Sequence, residues 1–445
     1  MRVSTTSVLF AVTAVVTFTS HAQNWPQFRG ADSRGVLDSE KLPTTWSATE
    51  NVAWKADIPG RGWSSPVVWG NQVFLTSVVS LGPTEEPKKG LYFGGDRKDA
   101  PDLIHQWKVY ALDLTTGALQ WERQVHEGKP DAPRHLKNSY ASETPVTDGE
   151  RLYAYFGGVG FFCFDLAGNP VWDKRIAPQK MAYSWGTAAS PIVDGDRLYL
   201  INDNEEASYL LALDKKTGDE IWRVAREEGS NWSTPYIWKN SVRSEIVTPG
   251  SDAVRSYDLE GKLLWSLTGM SSITIATPYA DGDLLYISSG YVGDKNHRPI
   301  YAIRPGASGD IALAEGQTTN EFIAWSHNLA APYNPTTLVY RDRLYVLYDR
   351  GTVSCYNAKD GTPIYEKAEL PKGAGYTASP WATNGLIFCL NEDGVTHAFK
   401  AGDAFEIVAS NVLDENDMGM ATPALTPDRL LLRTASRLYA IGGGS

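Results

Sequence analysis

"ASPIVDGDRLYLI" (residues 189–201) reads as two short strands joined by an Asp-Gly turn, but its first strand is preceded by a proline, which has no N–H for a sheet ladder. One such segment would make a poor strand. The arrangement returns at "SSPVVWGNQVFL" (64–75), "TPVTDGERLY" (144–153), "TPYADGDLLY" (277–286), "ASPWATNGLIF" (378–388) and "TPALTPDRLLL" (422–432). Pro66, Pro145, Pro191, Pro278, Pro380 and Pro423 are each followed eight positions later by Phe74, Tyr153, Tyr199, Tyr286, Phe388 and Leu431. Thr337 and Tyr345 keep the offset without the proline, and Pro235 opens an eighth copy with a longer turn, "STPYIWKNSVRSEIV".

A second signature follows downstream: "VYALDLTTGALQW" (109–121), "FFCFDLAGNPVW" (161–172), "LLALDKKTGDEIW" (210–222), "VRSYDLEGKLLW" (254–265) and, with tyrosine in place of tryptophan, "CYNAKDGTPIY" (355–365). An alternating strand ends in Asp or Asn, a glycine supplies the positive φ of a tight turn, and a large ring follows four residues later. Each unit is therefore four antiparallel strands in about 45 residues, the pattern of a propeller blade. In that architecture the first strand of each blade is an edge lining a central channel, and a proline at its start costs no ladder bond. The expected fold is all-β: an eight-bladed β-propeller of four-stranded antiparallel blades over residues 23–445. The last copy stops after "RLYAIGG" (437–443), one strand short, and "NVAWKADIP" (51–59) supplies a strand with Trp54 in the recurrent position. The N-terminal strand is thus expected to close the ring. Trp54, Trp121, Trp172, Trp222 and Trp265 are expected to fill the gaps between neighbouring sheets.

The 445-residue chain carries Lys+Arg 41 against Asp+Glu 52, a formal charge of −11, which gives no basic field for nucleic acid or anionic lipid. Arg2, the apolar run "VLFAVTAVVTF" (8–18) and "SHA" (20–22) have the form of a signal peptide, 1–22, cleaved after Ala22. The run is too short to span a bilayer. The mature chain is expected to be a periplasmic or secreted monomer without a membrane span. Cys163, Cys355 and Cys389 lie within apolar strands and are expected to be buried free thiols, although a Cys355–Cys389 bridge is conceivable in an oxidising compartment.

In a blade, the approach to the first strand and the loop between strands two and three share one face. That face collects the longest irregular stretches, "SVVSLGPTEEPKKGLYFGGDRKDAPDLIHQ" (77–106), "HEGKPDAPRHLKNSYASE" (126–143) and "SGYVGDKNHRP" (289–299); "PGASGDIALAEGQTTNEF" (305–322) goes to the other. Loops on a rigid ring are where binding groups concentrate. The candidate ligand- or partner-binding residues around this mouth are Trp63, His105, His135, Asn138, Tyr140, Glu143, Tyr183, Trp185, Asn231, Trp232, Tyr333, Asn334 and Tyr376, with Met418 beside them. Rings interleaved with amides suit a planar ligand, a sugar or a peptide strand. "NDNEEAS" (202–208) and "NEDG" (391–394) fit no dedicated calcium loop and are expected to be solvated acid. The histidines have no zinc spacing, so no metal site is expected.

"ALDKKTGDEIW", "SPIVDGDRLY" and the start "NWPQFRG" (24–30) resemble the repeats of pyrroloquinoline-quinone (PQQ)-type eight-bladed propellers, over nearly the whole mature chain. The resemblance implies one of two branches. In quinoprotein dehydrogenases, PQQ and calcium sit at the channel mouth, typically beside adjacent cysteines that this chain lacks. BamB-like propellers are non-enzymatic and help assemble outer-membrane proteins. The reading adopted is a BamB-like, non-catalytic scaffold that needs no cofactor and binds an envelope protein or small ligand at its loop-rich face. The alternatives are a PQQ- and calcium-dependent alcohol or sugar dehydrogenase, with Glu143 as its base, and a carbohydrate-binding propeller.

Overall fold

The computed structural model describes residues 24–83, 86–93 and 99–443; the expected signal peptide lies outside them. The innermost strands of blades 1 to 8 are Val67–Trp69, Val146–Thr147, Ile192–Asp194, Tyr236–Lys239, Tyr279–Asp281, Leu338–Tyr340, Trp381–Thr383 and Ala424–Leu425. Each sheet runs antiparallel outward from these, in chain order in blades 1 to 7. Blade 4 gains a fifth, parallel strand, Gly309–Asp310, from the 305–322 insertion. That insertion, between the third and fourth strands of blade 5, therefore also extends the outer edge of blade 4. Val52–Asp57 pairs with Arg437–Ile441 as the outermost strand of blade 8, so the first strand of the chain completes the last sheet.

Every recurrent proline stands directly before an innermost strand, as its missing N–H requires. The residue ahead of it has a second use. The Ser65 N–H donates to Thr144 Oγ1 at 3.0 Å, Thr144 N–H to Ser190 Oγ at 2.9 Å, and Ser190 N–H to Thr234 Oγ1 at 3.1 Å. Thr277 N–H continues to Thr336 Oγ1, Thr336 N–H to Ser379 Oγ and Ser379 N–H to Thr422 Oγ1, each at 3.0 Å. A belt of hydroxyls thus lines the channel, linked blade to blade in two arcs, blades 1 to 4 and blades 5 to 8. The repeated Ser/Thr-Pro couples a residue that bonds to the next blade with one that gives up a bond it would not have used.

The outer tryptophans form a second ring of links. Trp54, Trp121, Trp172, Trp222 and Trp325 each donate Nε1–H to a carbonyl in the turn of the following blade: Leu114 (2.9 Å), Leu166 (3.0 Å), Lys215 (3.0 Å), Leu259 (3.1 Å) and Ala358 (2.9 Å). The turn glycine lies under the indole. A Cβ on Gly168, whose φ is +83°, would stand 2.6 Å from the Trp121 ring. Trp265 departs from the pattern because the 305–322 insertion replaces the receiving turn in blade 5. It is buried and donates to the buried Glu245 carboxylate at 2.6 Å.

The segment before the closing strand seals the far end of the channel. Trp25 pairs with Val68 in blade 1, and Thr147 N–H of blade 2 donates to the Pro26 carbonyl. Further along the segment, Val36 bridges to Ala382 in blade 7. Between them Arg29 is fully buried and donates to the carbonyls of Ser33, Arg34, Thr337 and Pro380, holding the segment to blades 6 and 7. Burial lowers its pKa to about 10. At the closing seam, Arg433 of blade 8, also buried, donates to the Ser64 and Thr76 carbonyls of blade 1. All three cysteines are buried free thiols.

Candidate functional site

A cavity of about 250 Å³ occupies the channel between this floor and the loop-rich mouth. Phe28 is exposed to it from below, and all eight belt residues, Ser65, Thr144, Ser190, Thr234, Thr277, Thr336, Ser379 and Thr422, line its wall. Above the belt stand Trp63, Tyr92, His135, Trp185, Trp232 and Tyr333.

Local bonds set these rings. Trp63 Nε1–H donates to the Lys137 carbonyl and Trp232 Nε1–H to the Gly186 carbonyl, both at 2.6 Å. Asn138 spends its amide on the Trp185 and Thr187 carbonyls at 2.7 and 3.1 Å, holding the approach to blade 3 against that to blade 2. His135 Nδ1 accepts the Lys137 N–H at 3.1 Å, which puts the ring proton on Nε2, 3.1 Å from the Phe93 carbonyl. Asp349 accepts from Tyr333 N–H, Asn334 N–H and the Asn334 amide at 2.8, 2.9 and 2.6 Å; burial nevertheless raises its pKa. Tyr183 and Ser184 have left-handed backbone, φ 54° and 58°, at the rim where Tyr183 meets Phe93 and Trp185. Backbone held in that region is a feature of constrained sites.

The insertion of blade 1 crosses the mouth. Leu91 and Tyr92 face the cavity, while Gly90 N–H donates to Glu392 Oε2 at 2.6 Å. Lys137 bonds both the Glu392 carboxylate and, at 3.0 Å, the Gly90 carbonyl. One buried carboxylate of blade 7 thereby ties down two loops. The expectation of solvated acid at 202–208 and 391–394 holds for the exposed Glu205 and Glu206 but fails for Asp203 and Glu392. Asp203 is buried in a two-bond pair with buried Arg226, and Glu392 is buried against Lys137. Neither cation is near its partner in sequence, which is why the acids read as surface.

Seven of the candidate residues line the cavity: Trp63, His135, Asn138, Trp185, Trp232, Tyr333 and Asn334. Tyr183 stands outside it on the rim. His105 and Tyr140, with Met418, line a separate groove under the blade 1 insertion, and burial pushes the His105 pKa down. Glu143 is buried, with Oε1 accepting from Thr187 Oγ1 at 2.5 Å and Gly157 N–H at 3.2 Å; burial pushes its pKa up. Asn231 donates to the Pro249 carbonyl at 2.6 Å, and Tyr376 is buried over Gly351. Sequence reasoning missed Phe28, Leu91, Tyr92, Lys137 and the belt. Only the belt had a visible signal, the Ser or Thr before each proline.

The family model described as outer membrane protein assembly factor BamB matches residues 36–209 and 164–297, more than half of the chain. The chain belongs to this family. No curated protein matches it. Among solved structures it is similar to BamB from Moraxella catarrhalis, at 14% identity and a TM-score of 0.53, over 83% of this chain and 99% of that one. It is also similar to the quinohemoprotein alcohol dehydrogenase ADHIIG from Pseudomonas putida, at 12% identity and a TM-score of 0.58, over 95% and 81%. The quinohemoprotein alcohol dehydrogenase from Comamonas testosteroni gives 12% and 0.58 over 96% and 82%. At such identities the likeness carries the fold alone.

The cavity is poorly matched to PQQ with calcium. Such a polycarboxylate needs cations and calcium needs several oxygen ligands. Among the described residues the one lysine or arginine lining the cavity, Lys137, is already paired with Glu392. Among the same residues no group of three His, Cys, Asp or Glu is placed to hold a metal, and Glu143 does not line the cavity. The donor set does not fit these groups. No helix among the described residues is long and apolar enough to cross a membrane.

Proposed function

We propose that this chain is an exported, non-catalytic propeller that docks a protein of the cell envelope on its loop-rich face, in the manner its BamB family membership suggests. The observation that carries this reading is where large apolar side chains meet solvent. Leu81, Phe93, Ile104, Tyr183, Val292 and Leu329 are all exposed, and all six belong to strand approaches or inter-strand loops of the loop-rich face. Among the described residues, the turns of the opposite face expose one large apolar side chain, Val242. The others, such as Leu119 and Val171, sit on outermost strands. Apolar exposure concentrated on one face among polar loops is the composition of a protein interface.

A photo-crosslinking residue placed at Phe93, Leu329 or Val242 tests the proposal in the cells that make the protein. The expected result is one discrete adduct from positions 93 and 329, lost with Tyr183→Asp, and none from 242. Adducts of equal yield from all three positions, or from none, would overturn it.

A further inference from the structure

The cavity has a chemistry of its own, independent of docking at the rim. Thr144, Ser190, Thr234, Thr336, Ser379 and Thr422 each accept a backbone N–H through the hydroxyl oxygen and donate their own O–H to no described residue. Their hydrogens and second lone pairs are therefore available in a circle around the channel axis. Ser65 Oγ, on a residue 1% exposed, has no partner among the described residues. Above the circle the Trp185 ring is tilted against Trp232 at 5.9 Å and meets His135 edge-on at 5.5 Å, and its own buried Nε1–H is likewise unpartnered among the described residues. Among those residues no carboxylate lines the space, and the Lys137 charge is neutralised by Glu392.

A disc-shaped ligand with apolar faces, hydroxyls radiating in its plane and no charge matches every part of this. We infer that the central cavity is a binding site for a neutral saccharide, with one pyranose ring seated in it. The ring stacks its C–H face on the tryptophans, while its equatorial hydroxyls exchange hydrogen bonds with the Ser/Thr belt. The volume of about 250 Å³ admits about one sugar ring, and ligand pockets of larger molecules start at roughly 300 Å³. Phe28 makes the floor blind, so the reducing or non-reducing end enters from the loop-rich mouth past Tyr183 and Trp185. An ionised sugar acid is disfavoured because no unpaired cation among the described residues meets it.

The mature protein, titrated calorimetrically and by tryptophan fluorescence with glucose, N-acetylglucosamine, cellobiose and maltose, gives the test. Galacturonic acid, PQQ with calcium, and riboflavin serve as charged and heterocyclic comparators. The expected result is saturable binding near one per chain by at least one neutral sugar, weakened about tenfold or more by Trp185→Ala. Ala188 lines the cavity and is half-buried, so Ala188→Phe fills the space from its edge and should abolish binding while leaving the melting temperature within a few degrees. This second variant separates loss of the site from loss of the fold. The inference fails if no neutral sugar binds at about 10 mM. It fails equally if a comparator binds more tightly than every sugar, or if Ala188→Phe binds as the parent does. Crosslinking at Phe93 reads the rim alone, so either proposal can fail while the other stands.

Discussion

The two ends of the channel are built by different means. At the far end the floor is a length of main chain, pinned by Arg29, which has no exposed surface and bonds four carbonyls. At the loop-rich end the mouth is rimmed by side chains, several of them half in water, such as Phe93 at 48% exposure and Tyr183 at 44%. One end is built like a protein interior and the other like an interface. The contrast separates what holds the ring together from what is free to meet a ligand.

Removing residues 24–59 should break the comparison outright. It takes away the floor, the outermost strand of blade 8 and the Trp54 link to blade 1. The expected result is loss of the cooperative thermal transition by circular dichroism; a truncated chain that melts like the parent would show that the floor is not structural. Arg29→Met keeps bulk but strands the Thr337 and Pro380 carbonyls, and should cost about 3 kcal/mol by denaturant titration. Glu143→Gln sharpens the comparison from the other end, because burial raises the pKa of this carboxyl above the ordinary 4.5. The stability that Glu143 allows is complete below the usual carboxylate range. It is lost as pH rises through the raised folded value, since the unfolded chain ionises first. A glutamine side chain cannot ionise, so the variant should gain melting temperature over the parent at pH 7 and little at pH 4. Phe93→Ser should shift stability by no more than about 0.5 kcal/mol, as expected for an exposed side chain, while abolishing any partner adduct at the rim.

Fold and site are unequally legible in the sequence. Pro191, Gly218 and Trp222 act on neighbours in sequence or at the fixed repeat spacing, so their pattern yields blades, turns and ring closure without coordinates. The outer tryptophans are legible as packing, though their carbonyl partners require the neighbouring blade, and Trp325 is hidden by its displaced turn. Trp63, Trp185 and Trp232 are recoverable because approaches to first strands converge on one mouth in any propeller. Arg29 is not recoverable, because its partner Pro380 is 351 residues away and nothing local marks it. Lys137 and Glu392, 255 residues apart, escape for the same reason. Ser190 and Thr234 stand in plain view before their prolines, but their hydroxyl bonds exist only when neighbouring blades are side by side.

The position of the floor in the chain also sets an order of events. Residues 24–57 are among the first to be synthesised, yet they dock on Thr337, Pro380, Ala382 and Arg437, which are among the last. Contacts of such long sequence separation form late because loop closure must come first. Until Ile441 arrives, the third strand of blade 8 cannot offer its edge, and the opening segment has nothing to hold. Floor and closed ring are therefore finished in a single event, when the last strand meets the first.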